Sequence, residues 1–368
     1  MVKIYSFFKF FLITVFFIVL LDVLVGSFVY KKFIRGNFID VDLNFGRRSN
    51  VFHHNLVPNY KTDRAGWGSK RYNYCTDANS FRSSCKDQFR ETKNFDIGFI
   101  GSSMTEGIGV NYEDSYVGMI ASKLKDKEIA NLALPLYSSS IYYAKINRLL
   151  SQGYKFKEII VFMDITDLRN ETVCYRLEND QVLERETYNN CFLESKNREK
   201  LLRLIKKRLK LSFELYKLIN NKLIEIGILE YKIPRKVVDD PVSRWTYNYN
   251  PKDHNEFTYG EALNLVLGSM QKLSDLLKRN DIKLGIAVYP LPATLKNDIE
   301  ENKQLKIWEE FCKKNCESFY NLMSPFYQLL NDKKYSEVYK NIFIKGDIHF
   351  NKFGNKIMAE NFLKLYNK

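Results

Sequence analysis

Four continuous apolar runs, each stopping abruptly on a polar or proline-rich turn, constrain this chain more than any other feature. They are DIGFIGSS (96–103), EIANLAL (128–134), EIIVFMDI (158–165) and KLGIAVYP (283–290), separated by helical periodicity at 116–125, 140–150 and 260–279. A strand without polar alternation is buried on both faces. Such strands alternating with helices predict a parallel sheet covered on both sides. In sheets of this kind ligands sit outside the carboxyl ends of the strands. Three of the runs end there on chemically capable residues: Gly101-Ser102-Ser103, Asp164-Ile165-Thr166-Asp167 and Tyr289-Pro290-Leu291-Pro292.

The ends of the chain and its charge set the context. After a tail at 1–10, residues 11–30 read FLITVFFIVLLDVLVGSFVY, with Asp22 the only charge. About twenty apolar residues at 1.5 Å each span a bilayer core, and no good small-x-small cleavage site follows. The expectation is an uncleaved, single-pass transmembrane anchor. A carboxylate within such a segment is expensive; it often marks a membrane partner helix, and the alternative is a cost tolerated by an otherwise very apolar segment. The formal net charge of +14 does not point to nucleic acid, because 196–236 alone holds thirteen Lys/Arg against four Asp/Glu.

Orientation is contested. Lys31, Lys32 and Arg35 follow the apolar run, against Lys3 and Lys9 before it, which by charge places the body in the cytoplasm. The cysteines argue the other way. All six follow the run, and Cys75 with Cys85 and Cys174 with Cys191 form close pairs in polar sequence, which suits an oxidising compartment. An extracytoplasmic body with those two pairs bonded is expected. Cys312 and Cys316, four apart on a helical pattern, are expected to be free. No spacing resembles a zinc site, and no cofactor is implied.

The stretch 31–95 is polar, aromatic and irregular, a lead-in that packs on the main domain at 96–368. Within that domain 170–259 is too long for one crossover and reads as an inserted cap. It carries the basic amphipathic segment 201–229 and the aromatic stretch around Trp245 and Tyr247. That basic segment fits an anionic lipid surface or a solvated helix packing its Leu/Ile face on the domain.

Gly101-Ser102-Ser103-Met104-Thr105-Glu106-Gly107 resembles the first block of the SGNH (GDSL-type) hydrolase family, with Ser102 where many members have Asp. GDIHFNKFGNKIMAENF (346–362) resembles that family's last block. The resemblance implies a flavodoxin-like three-layer α/β/α fold and serine-dependent ester chemistry. It also implies an oxyanion donor from a second block, matched here by Leu136, and another from a third block, where Thr166 stands in place of an asparagine. Membrane-anchored members of this kind often act on surface polysaccharides, so the implied substrate is an acylated carbohydrate.

The residues support this independently. A serine hydroxyl needs a base, and the base needs an orienting partner. Of the four histidines only His349 has a carboxylate beside it and a helix start after it; Asp347, two residues away, shares its face in an extended segment. The expected triad is Ser103, His349 and Asp347, with the Ser103 and Leu136 N–H groups and Thr166 at the oxyanion. Trp245 and Tyr247 suit stacking on sugar rings or, equally, the core of the cap, and the adjacent pair His53–His54 is expected at the surface. The runner-up reading is a glycan-binding or scaffold protein on the same fold with an incompetent oxyanion hole. A phosphate-binding flavodoxin-like protein fits less well, because the Gly-Ser-Ser turn lacks the glycine-rich pattern with lysine.

Overall fold

The computed structural model describes residues 2–29, 41–68, 70–192, 208–226, 228–229 and 231–367. The chain divides into two compact units, 1–40 with 192–232 and 41–191 with 233–368.

In the larger unit an eight-stranded sheet has the order β12-β11-β8-β6-β7-β5-β4-β3. β6 (Asn94–Gly101), β7 (Ile129–Asn131), β8 (Lys155–Met163), β11 (Lys283–Val288) and β12 (Ser318–Asn321) are parallel. Numbered among themselves they run 2-1-3-4-5, the flavodoxin-like order. The four apolar runs form four of these strands, and Phe99, Ile100, Ile159, Ile160, Val161, Phe162, Ile286, Ala287 and Val288 are wholly buried. One helix, Tyr116–Lys123, connects β6 to β7, and another, Ser139–Ser151, leads back across β6 to β8. Right-handed crossovers that run in opposite directions place their helices on opposite faces. The connection therefore reverses beside β6, and a crevice opens at its carboxyl end.

The sheet is mixed rather than purely parallel, because the stretch read as an irregular lead-in supplies strands. β3 (Lys61–Trp67), β4 (Lys70–Thr76) and β5 (Arg82–Ser83) extend the sheet antiparallel beyond β7. Their polar sequence hid them. Arg82 is buried, stacks 3.9 Å over the Tyr74 ring, and donates to the Asn73, Cys75 and Val110 carbonyls. A cation whose two terminal nitrogens are bonded in this way sits in a core that composition alone assigns to apolar residues. Two antiparallel hairpins flank the sheet: β1 (Gly46–Ser49) with β2 (His53–Leu56), and β9 (Tyr175–Glu178) with β10 (Gln181–Glu184).

The insertion is divided differently from the sequence expectation. Only 192–232 separates from the larger unit; 170–191 and 233–259 are part of it. Trp245 is buried there and its indole donates to the Ile165 carbonyl at 2.7 Å, which ties this segment to the end of β8. Residues 201–207 of the basic segment lie outside the described residues.

The N-terminal apolar run lies in the smaller unit. Its α-helix ends at Leu21, and Asp22–Gly26 forms a wider turn with i→i+5 spacing. Among the described residues no helix is long and apolar enough to cross a membrane. Asp22 is buried within the chain, and its carboxylate accepts from the Leu211 and Ser212 N–H groups at 3.1 and 2.6 Å, capping the helix Lys210–Glu225. A Cβ on Gly26 would fall 1.8 Å from the Asp22 carboxylate, so glycine makes room for the cap. Asp22 thus finds its partner helix in its own chain.

All six cysteines are paired: Cys75–Cys85, Cys174–Cys191 and Cys312–Cys316. The last pair corrects the expectation of free thiols. The helix Lys303–Asn315 ends at Cys316, bringing the two Cα atoms to 4.5 Å, within bridging range. Alkylation of the native protein is expected to modify no cysteine before reduction and all six afterwards. Free thiols at 75 and 85 or at 174 and 191 would contradict the pairing.

Candidate active site

β6 ends at Gly101, where a Cβ would lie 2.2 Å from Thr105 Oγ1 and 2.9 Å from the Phe162 carbonyl oxygen. The chain therefore turns tightly against β8. Ser102 is extended, and a single helical turn, Ser103–Glu106, begins directly after it. Gly107 closes that turn with φ 89°, a left-handed conformation open to glycine. Ser103 is left half-buried at the crevice. As the first residue of a helical turn, its N–H has no intrahelical acceptor.

The last block meets it there. His349 Nε2 lies 2.8 Å from Ser103 Oγ, and His349 Nδ1 lies 2.5 Å from Asp347 Oδ1. The Asp–His pair arises from a turn and not from the extended segment expected. The His349 backbone N–H donates to Asp347 Oδ1 at 3.0 Å, so the carboxylate bonds the backbone two residues on. The spacing of two is thus built into the turn. Asn351 then caps the helix Lys352–Tyr366, accepting from the Phe353 and Gly354 N–H groups.

Two residues of this site left no signal in the sequence. The Trp67 indole, at the end of β3, donates to Asp347 Oδ2 at 2.9 Å and packs edge-on against the His349 ring. The Tyr339 hydroxyl lies 2.9 Å from both the N–H and the carbonyl oxygen of Asp347. Burial acts to raise the Asp347 pKa. The hydrogen bond and charge of His349, its backbone N–H and the Trp67 indole outweigh this and hold the carboxyl below its ordinary range. Asp347 is therefore an anion whose near neighbours are all donors.

Glu106, three residues after Ser103, is fully enclosed and accepts from the Tyr74 hydroxyl. Burial pushes its pKa up against the pull of that bond and of Arg82 and His349. Among the described residues no group of His, Cys, Asp and Glu is arranged to hold a metal.

No protein-family model matches the chain. No curated protein matches it either. Among solved structures it is similar to an acetylxylan esterase from Geobacillus stearothermophilus, with 10% identity and a TM-score of 0.40 over 73% of this chain and 93% of that one. It is also similar to a member of the lipolytic G-D-S-L family from Veillonella parvula, with 12% identity and a TM-score of 0.39 over 74% and 98%. Overlap at this level is too loose to assign an activity.

The remaining expected residues are distributed unevenly. Leu136 follows β7 with φ 63°, the left-handed region that favours glycine. Its loop is tied to the Ser103 turn, because the Asn131 side chain donates to the Thr105 carbonyl at 2.9 Å. Thr166 follows β8, and its N–H is taken up by Asp164 Oδ1 at 2.9 Å, leaving the side chain as its candidate donor. Trp245 is only 4% exposed, so its ring serves packing and does not offer a face to a sugar. Tyr247 is half-buried, with Asn297 Nδ2 3.4 Å from its hydroxyl.

His53 and His54 are not surface residues. His53, at φ 73°, is 8% exposed, and its ring meets that of His54. Both line a cleft of about 370 Å³ together with Arg47, Arg48, Leu136 and Tyr188.

Proposed function

We propose that this chain is a serine esterase or O-acyltransferase acting on acyl esters, chiefly acetyl esters, of a cell-surface glycan. The observation that carries this reading is the unbroken chain Ser103 Oγ–His349 Nε2, His349 Nδ1–Asp347 Oδ1 at the carboxyl end of β6. An anionic Asp347 accepts from His349 Nδ1–H, which leaves Nε2 with its lone pair facing Ser103. His349 takes the Ser103 proton as Oγ attacks the ester carbonyl, then delivers it to the departing sugar oxygen. Water, or a second sugar hydroxyl in a transferase, reverses these steps on the acyl-enzyme.

The negative oxygen of each tetrahedral intermediate is received by the Ser103 and Leu136 N–H groups and the Thr166 hydroxyl. A hydroxyl in place of a fixed amide predicts slow turnover, since an oxyanion donor is worth about 10²–10³ in kcat. Tyr247 is the remaining aromatic candidate for contact with the sugar. The apolar helix at the N-terminus, with Phe10, Phe16, Phe17 and Leu24 exposed, supports a membrane-tethered protein, and the paired cysteines support an extracytoplasmic body.

A fluorophosphonate probe is expected to label Ser103 in the purified protein. The same preparation is expected to release acetate from an activated acetyl ester and from acetylated oligosaccharides. Absence of both labelling and turnover would favour the binding-protein alternative, with Thr166 as its cause.

A further inference from the structure

We infer that His54 is a positioning residue for the oxyanion hole: it holds the Pro135–Leu136 peptide with its N–H toward the reacting carbonyl. This rests on the reading of Leu136 as an oxyanion donor. The peptide unit is planar and trans, so its C=O and N–H point in opposite directions and fixing one fixes the other. The Pro135 carbonyl oxygen lies 2.8 Å from His54 Nε2. A carbonyl only accepts, so Nε2 carries the proton and donates.

The peptide needs such a restraint. Leu136 sits at φ 63°, where a side chain is strained. Rotating this one peptide plane by half a turn would change the Leu136 φ to an ordinary negative value. It would also aim the Pro135 carbonyl where the Leu136 N–H now points, replacing a donor with an acceptor. The His54 hydrogen bond is lost in that rotation and so opposes it. The rest of the loop is pinned on either side of this peptide. The Leu132 N–H donates to the Phe99 carbonyl at 2.8 Å, and Lys145 Nζ donates to the Leu132 carbonyl at 2.8 Å. The Tyr137 hydroxyl donates to the His54 carbonyl at 2.7 Å.

His54 is itself held in one tautomer. With Nε2 protonated and the ring neutral, Nδ1 is an acceptor, and His53 Nδ1 lies 2.7 Å from it. His53 therefore donates through Nδ1, and its Nε2 faces Glu184 Oε1 at 2.9 Å and Arg48 Nη1 at 3.1 Å. Adjacent strand residues point to opposite faces; the positive φ of His53 is what brings the two rings together. Burial pulls the His54 pKa down to about 3, so the ring is neutral and the donor arrangement holds at neutral pH.

The test compares His54→Phe with His54→Gln on an acetyl ester. Phenylalanine keeps the ring packed against Tyr137 without the donor; the glutamine amide can donate to Pro135. Complete loss of an oxyanion donor costs about 10²–10³ in kcat, so His54→Phe, which only frees the peptide, is expected to lose about 10- to 100-fold. KM and Tm should stay near wild type, and His54→Gln should recover most of the loss. In a Leu136→Gly background the effect of His54→Phe is expected to shrink severalfold, because glycine accepts φ 63° without strain.

Wild-type kcat in His54→Phe would overturn the inference, as would equal losses in both variants tracking a fall in Tm. Should His54→Phe not fold, His54→Asn, whose shorter amide does not reach Pro135, takes its place against His54→Gln. The triad is judged separately by Ser103→Ala. If that variant retains turnover the underlying reading fails; if it is dead while His54→Phe is fully active, only the role of His54 fails.

Discussion

Ser103→Ala is expected to remove about 10⁴- to 10⁶-fold of acyl-ester turnover in kcat while leaving thermal stability almost unchanged. The hydroxyl is half-buried at the edge of the crevice and its partner is His349 Nε2, so little packing is lost with it. His349→Ala is expected to show a kinetic loss of the same order, with some added cost in stability because His349 is buried and its ring packs on Trp67. The double variant should be no worse than either single one, because nucleophile and base act as one unit. Wild-type turnover in Ser103→Ala, measured on the ester that the native chain cleaves, would end the serine assignment.

Asp347→Asn is expected to cost up to about 10⁴-fold in kcat, and the carboxylate's surroundings argue for the upper part of that range. Oδ1 accepts from His349 Nδ1 and from the His349 backbone N–H, and Oδ2 accepts from the Trp67 indole. An amide placed here must turn its NH₂ toward a donor. Facing His349, it imposes the tautomer that leaves a proton on Nε2 and no lone pair there to take the proton of Ser103; facing Trp67, it sets two donors against each other. Trp67→Phe removes the second conflict. The double variant Trp67→Phe/Asp347→Asn is therefore expected to lose less than the product of the two single losses, as read from kcat on the same ester.

Stability gives a second readout of Asp347. Its pKa is lower in the folded protein than in the unfolded chain. Its contribution is therefore complete at neutral pH and is lost as the pH falls through the folded-state value. Asp347→Asn should lose stability at neutral pH and flatten this part of the pH–stability curve. An unchanged acid limb would show that the carboxylate is not held as described.

The parts of this protein legible in its sequence are those set by local chemistry. Unbroken apolar runs, with nowhere to go but a doubly covered sheet, place β6, β7, β8 and β11. Gly101 and Gly107 around Ser103 announce a turn that a side chain would block, and Asp347 beside His349 announces a coupled pair.

Other parts depended on distant residues meeting. Arg82 made a polar stretch into core strands by finding three carbonyls and a tyrosine ring. Trp67 reached Asp347 from 280 residues away. Asp22 found the first turn of a helix about 190 residues on, and the adjacent His53 and His54, expected at the surface, met Glu184 and Pro135, with His53 buried and His54 half-buried. A polar group is identified by its environment as much as by its type, because burial without a partner is costly and burial with one is not. Sequence reveals the group itself, whereas the partner that makes its burial tolerable is supplied only by the folded chain.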